Sequence, residues 1–167
     1  IAEKKCDLEG QYQLGTEAAL RPHLRTLIII RQGKLWCTSL PGNRILLKHI
    51  PVIADTNLLL TPARNTENEI PVLLYQTRFQ THRIIVTISG VHIRGALNVP
   101  LKGVTYSLLV GDEVLSLLGD VNTVTASARE SGQVNSVKYP FSIIYNKPPL
   151  FSAKRLVTQG SGILVFI

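Results

Sequence analysis

Short apolar segments separated by turn residues about every eight to twelve positions constrain the fold of this chain most strongly. Apolar and polar side chains alternate most clearly over residues 72–80 and 83–89. Successive side chains of a strand point to opposite faces, so a period of two predicts strands with one core face and one solvent face. This rule places Tyr75 and Phe79 towards the core and Gln76 and Arg78 towards solvent.

The remaining segments also favour strands. Hairpin turns are predicted at Gln32-Gly33 and at Gly111-Asp112, and residues 8–14 are predicted to form a first strand. A single helical turn is expected at residues 16–20. Roughly ten to twelve strands without a βαβ alternation predict one all-β domain over residues 1–167. An immunoglobulin-like antiparallel β-sandwich is the first choice of architecture, and a Greek-key barrel or a jelly roll is the alternative.

The two cysteines, Cys6 and Cys37, lie 31 residues apart, which is not a metal-ligand spacing. In an oxidising compartment they would form one disulfide that ties the N-terminal segment to an early strand. In the cytosol they would be two unrelated buried thiols. The chain starts at Ile1 rather than at methionine, which favours the exported interpretation and hence the disulfide.

The formal net charge of +7 is unevenly distributed, because residues 18–54 and 70–111 contain no acid. If the strands of the second stretch are neighbours, Arg78, Arg83 and Arg94 share one solvent face. A basic face of this kind attracts an anionic glycan or an anionic membrane surface. Nucleic acid is not expected as a partner, because only 6% of the residues are aromatic and stacking needs exposed rings.

No catalytic motif is present. His82 and His92 could meet across strands, but no two histidines have the local spacing of a metal pair. The adjacent carboxylates Asp112 and Glu113 would point to opposite faces of a strand and could not act on one bond. The sequence therefore predicts a protein that is not an enzyme and that holds neither a metal nor a cofactor.

The chain ends in an apolar run made of Ile163, Leu164, Val165, Phe166 and Ile167. An apolar strand at a terminus has to be buried, either in its own sheet or in a partner. We expect it to complete the core or to be donated to a neighbouring subunit by β-strand addition.

These features resemble those of subunits of pili that are assembled by the chaperone–usher route. The similarity rests on the early cysteine pair, the penultimate aromatic Phe166 and residues 97–132, which look like the late strands of such pilins. It implies an exported structural or adhesive subunit that passes through the periplasm to the cell surface as part of a fimbrium. Its partners would be neighbouring subunits or a periplasmic chaperone.

Two alternatives to the pilus hypothesis remain open. A viral or phage coat or spike domain with a jelly-roll fold would use the basic charge to bind an anionic partner. A carbohydrate-binding or carbohydrate-active sandwich is the other alternative.

Overall fold

A computed structural model describes residues 6–40, 49–50, 57–66, 69–99, 104–118, 120–123 and 132–146. The helices and strands of these ranges are α1 (Leu8–Ala19), β1 (Thr26–Arg31), β2 (Lys34–Thr38), β3 (Leu58–Thr61), β4 (Val72–Phe79), β5 (His82–Ser89), α2 (Gly90–Leu97), β6 (Tyr106–Val110), β7 (Glu113–Leu115), β8 (Asn122–Thr123), β9 (Gly132–Asn135) and β10 (Ser142–Tyr145). A short 3₁₀ turn, Ala63–Asn65, follows β3. Neither α-helix of the described ranges is long and apolar enough to cross a membrane.

The strands form two five-stranded sheets, and the predicted all-β antiparallel fold is confirmed. The first sheet has the order β2-β1-β5-β4-β3 and the second the order β8-β7-β6-β10-β9. Every pair of neighbours is antiparallel. Each sheet is built from one contiguous half of the chain, whereas the immunoglobulin arrangement divides consecutive strands between its two sheets.

Both predicted hairpins are present. Gln32 and Gly33, between β1 and β2, both have positive φ angles, 50° and 74°, as a type I′ turn requires. Gly111, between β6 and β7, has a φ of 59°. A glycine at this position adopts the left-handed region without the steric cost that a Cβ atom would bring.

The two sheets pack against each other through β3, β6 and β7 and form a sandwich. Leu58 and Leu60 of β3 share one buried cluster with Leu108, Val110 and Leu115 of the second sheet. The other face of the first sheet has its own buried cluster, which consists of Ile28, Ile30, Val72, Leu74 and Ile85. The first sheet is therefore covered on both faces over much of its area.

This double coverage corrects the predicted orientation of β4. Gln76, expected on the solvent face, is only 5% exposed, while Phe79, expected in the core, is 53% exposed. Tyr75 is half-buried on the face opposite Gln76. The alternation correctly assigned the residues of β4 to two faces. It could not show which face is more deeply buried, because both faces are partly covered.

The strand predicted over residues 8–14 is wrong, because these residues belong to α1. The Asp7 carboxylate accepts a hydrogen bond from the Gly10 backbone N–H at 2.9 Å and so caps the helix. Gly10, Leu14 and Ala18 follow at intervals of four and face the protein. Glycines have a low helix propensity, so burial of this apolar stripe is what stabilises α1.

Residues 90–97 also form a helix, α2, where the apolar pattern of β5 appeared to continue. The hydroxyl of Ser89 accepts a hydrogen bond from the Val91 backbone N–H at 3.3 Å and begins the helix. The same hydroxyl accepts a hydrogen bond from the Arg25 guanidinium at 3.5 Å. The chain therefore leaves the first sheet at Ser89.

A disulfide joins Cys6, directly before the cap of α1, to Cys37 in β2, with the two Cα atoms 5.4 Å apart. Leu14 of α1 packs beside it in a buried cluster with Ile29 of β1 and Cys37. The disulfide and this cluster together fasten both the beginning and the middle of α1 to the first sheet.

Replacing both cysteines, in Cys6→Ser with Cys37→Ser, should lower the free energy of unfolding by about 3–4 kcal/mol, because a crosslink across 31 residues restricts the unfolded chain. Urea denaturation followed by circular dichroism measures the loss. The native protein in excess reductant should show a similar loss, and an unchanged midpoint in both cases would contradict this role of the disulfide.

Two glycines of α2 should respond in opposite directions to replacement by alanine. A Cβ atom on Gly90 would lie 2.8 Å from the Pro71 carbonyl oxygen, so Gly90→Ala should destabilise the fold by roughly 1–3 kcal/mol. A Cβ atom on Gly95 would meet nothing within 4 Å. Gly95→Ala should therefore stabilise the helix by roughly 0.5–1 kcal/mol. Thermal unfolding of the two variants gives the comparison.

Candidate functional site

An open apolar groove of about 670 Å³ lies between α1, the first sheet and the segment that connects β9 to β10. Its floor consists of side chains from β1 and β5, namely Leu27, Ile29, Ile84, Val86 and Ile88. Leu14 and Glu17 of α1 contribute one wall, and Tyr139 and Phe141 contribute the opposite wall. A volume of this size falls within the range of small-molecule sites in proteins.

The strand register explains why the floor is continuous. Leu27 pairs with Val86 and Ile29 pairs with Ile84, so their side chains stand next to each other on the same face of the sheet. These positions alternate with those of the buried cluster on the other face, such as Ile28 and Ile85. A run of apolar residues that does not alternate, as in residues 27–30, is the sequence signal for a sheet covered on both faces.

Aromatic rings form the end of the groove next to the second sheet. The rings of Tyr75 and Tyr139 meet edge to face, with their centroids 5.7 Å apart. The Lys138 ammonium lies 5.2 Å from the centre of the Tyr139 ring, which is a cation–π contact. These contacts connect β4 of the first sheet to the β9–β10 connection.

The charged groups of the groove lining are at the α1 end. Glu17 and Arg21 are four residues apart in sequence, and both line the groove. Glu17 is half-buried and Arg21 is exposed. In the part of the chain that the structure describes, neither makes an ion pair, so both charges are available to a bound molecule. The site can accordingly hold an apolar body and hydrogen-bond a polar end.

Two of the three predicted surface arginines come together. Arg78 and Arg83 are register partners on β4 and β5 and lie on one face of the first sheet. Arg94 lies apart from them, in α2, where its Nε donates a hydrogen bond to the Ser116 carbonyl at 3.2 Å. The expectation that all three share a strand face fails because the chain turns into a helix at residue 90.

The histidines are not arranged as predicted either. His92 contacts His23, with ring centroids 6.4 Å apart, and not His82. His82 is 6% exposed and packs edge to face against Trp36, with centroids 6.1 Å apart. Within the described ranges, no three histidine, cysteine or carboxylate side chains come together as metal ligands.

The apolar run predicted as a partner strand, Ile163, Leu164, Val165, Phe166 and Ile167, lies outside the described residues. The predicted cysteine pair is joined in the structure. The groove itself was not predicted from the sequence, because its lining comes from segments that are far apart in the chain.

The fold and the groove define an all-β domain with a recessed apolar site. The chain belongs to the family of CSS-motif domains associated with EAL, whose model matches residues 1–159. It is 61% identical over all 167 residues to the probable cyclic di-GMP phosphodiesterase PdeG of Escherichia coli (strain K12). The chain spans 33% of the length of that relative.

Family membership overturns the pilus hypothesis and both of its alternatives, the coat domain and the carbohydrate-binding sandwich. Neighbouring pilus subunits and a chaperone are therefore wrong as partners, and the fimbrium is wrong as a location. The observations behind the resemblance were an early disulfide, short strands and an apolar end. Such features occur in many small disulfide-bonded β domains and do not distinguish one family from another.

Filling the groove should abolish binding of apolar molecules. Val86→Trp places a large ring in the floor, so the affinity for a fluorescent apolar dye such as 1-N-phenylnaphthylamine should fall about tenfold or more. Val137→Trp is the matched control, because Val137 is fully exposed outside the groove. Circular dichroism checks that both variants fold. Equal dye affinities in the two folded variants would exclude the groove as the binding site.

Proposed function

We propose that this chain is the sensory domain of a cyclic di-GMP phosphodiesterase and that occupation of the groove is the signal it transmits. The similarity to PdeG along the whole chain supports this assignment, and the chain spans a third of that protein. In this proposal, hydrolysis of cyclic di-GMP takes place in the remaining part of the longer protein. Residues 1–167 act as one regulatory β domain.

The same proposal places the domain in the periplasm. The Cys6–Cys37 disulfide supports that location, because disulfides persist in oxidising compartments and are rare in the cytosol. Signal and catalysis would then be separated by the membrane. Because the two would lie on opposite sides of the membrane, the domain would have a sensory role and would not itself take part in the hydrolysis.

The single observation that carries the sensory role is the groove between α1, the first sheet and the β9–β10 connection. A molecule in the groove touches all three parts at once, so it favours the arrangement in which they are closest together. A ligand shifts an equilibrium between conformations only by its differential affinity for them, and simultaneous contact with three elements provides such a difference.

The chemistry of the lining indicates the class of ligand. The walls and floor are almost entirely apolar, and burial of a ligand there contributes about 25 cal/mol per Å² of apolar surface. Glu17 and Arg21 supply charge at one end only. The ligand is therefore a small amphipathic molecule with an apolar body and a polar end that lies against α1.

A domain exchange tests the proposed function. The matching third of PdeG is replaced by this chain, and hydrolysis of cyclic di-GMP by the hybrid is measured. The hybrid should hydrolyse cyclic di-GMP at a rate that changes severalfold when the groove is filled by Val86→Trp but not when Val137→Trp is introduced. Equal rates for the hybrid, for both variants and for a hybrid that lacks the domain would contradict a sensory role.

A further inference from the structure

Helix α1 is an acidic element in a basic chain. Its N-cap is Asp7, the helix itself contains Glu9 and Glu17, and no lysine or arginine falls between Leu8 and Ala19. The whole chain has a formal net charge of +7, so the negative charge of α1 is a local feature. Because α1 forms one wall of the groove, this local charge influences which molecules the groove can bind.

The three carboxylates of α1 differ in their partners. Asp7 accepts a hydrogen bond from the Gly10 backbone N–H at 2.9 Å, and Glu9 accepts one from the side chain of Gln13 at 3.2 Å. Glu17 is half-buried and lines the groove, yet among the described residues it accepts no hydrogen bond and makes no ion pair. A partly buried carboxylate in this situation gains stability from any donor that a bound molecule brings.

The position of Glu17 within α1 makes the local potential more negative. Glu17 lies in the last turn of the helix, and this turn contains no base. The last carbonyl groups of a helix carry a partial negative charge, which is unfavourable for a carboxylate and favourable for a cation. A cation at this end of the groove would therefore interact with both the Glu17 carboxylate and the negative end of the helix dipole.

Arg21 also lines the groove, but it does not form an ion pair with Glu17. Arg21 is exposed, whereas Glu17 is half-buried. Water and salt screen an exposed guanidinium more strongly than a half-buried carboxylate. Glu17 consequently has the greater influence on a charge that lies inside the groove.

The opposite, aromatic end of the groove is already occupied by a cation of the protein. The Lys138 ammonium lies 5.2 Å from the centre of the Tyr139 ring. A second cation would be repelled there, so it is favoured at the α1 end. The floor between the two ends is apolar and includes Leu27 and Val86. A molecule with one cationic end would thus lie with that end at Glu17 and with its apolar body across the floor.

We propose that the ligand of the groove is a cationic amphiphile, a small molecule with an ammonium end and an apolar body. The ammonium donates hydrogen bonds to the Glu17 carboxylate, and Glu17 is the residue that selects the charge of the ligand. This inference rests on the proposed function, because it concerns the same groove. An anionic amphiphile with Arg21 as its partner is the competing outcome of the test.

Two ligands of opposite charge test the sign of the preference. Decylammonium and decanoate have apolar chains of nearly equal length, and each is titrated against the chain loaded with 1-N-phenylnaphthylamine to measure displacement of the dye. Decylammonium should bind about tenfold more tightly than decanoate. The net charge of +7 favours the anion, so this preference cannot arise from the overall charge of the chain. Equal affinities, or a preference for decanoate, would overturn the proposal.

Isosteric variants test whether Glu17 is responsible. Glu17→Gln keeps the shape of the side chain and removes its charge, so the affinity for decylammonium should fall about tenfold while that for decanoate should not fall. Glu9→Gln is the matched control, because it removes the same charge from α1 at an exposed position outside the groove lining. Circular dichroism checks that both variants fold. Equal losses in the two variants, or an undiminished preference in Glu17→Gln, would contradict the role of Glu17.

The variant with a filled floor separates this inference from the proposed function. Val86→Trp should weaken binding of decylammonium and of decanoate alike, because it removes the space for the apolar body. If Val86→Trp binds both as tightly as the native chain does, the groove is not the site, and the sensory role and the charge preference both fail. Binding that depends on the groove but favours decanoate would overturn the charge preference alone.

Discussion

The attachment of α1 to the first sheet is the contact on which the other features of this domain depend. The Cys6–Cys37 disulfide fixes the beginning of the helix, and Leu14 packs against Ile29 in its middle. Because the helix is held there, Glu17 and Arg21 stand at one wall of the groove. The same attachment turns the opposite side of the helix, where Leu8 and Tyr12 are exposed, towards solvent. Without it, the groove would lose a wall.

The groove exists because the first sheet has two apolar faces and the second sheet covers only part of one of them. Leu58 and Leu60 of β3 are buried against the second sheet, whereas Ile84 and Val86 of β5 are only half-buried. The uncovered strip lies between the second sheet and α1. An apolar strip of this kind binds apolar molecules because removing apolar surface from contact with water lowers the free energy. The proposed sensory role follows from this gap between the two covering elements.

The strands were largely predictable, whereas of the helices only the last turn of α1, predicted at residues 16–20, was. The register-setting turns at Gln32-Gly33 and Gly111-Asp112 are local, so they could be recognised from adjacent residues. Residues 8–14 and 90–97 were not recognised as helices, because their glycines weaken the helical signal and their caps depend on the hydrogen bonds of Asp7 and Ser89. The pilus hypothesis failed for a related reason: its features describe a compartment and a fold class, and many protein families share both.

The sequence by itself determined the antiparallel all-β class and the hairpins, because both follow from the side-chain period and from residues next to each other in the chain. It also limited the two cysteines to a disulfide or two separate thiols. Only the tertiary structure decided that Arg94 lies apart from Arg78 and Arg83, that β4 is covered on both faces and that a groove opens beneath α1. These outcomes depend on which distant segments pack together. A pattern of alternation identifies the two faces of a strand, but it does not say what covers each of them.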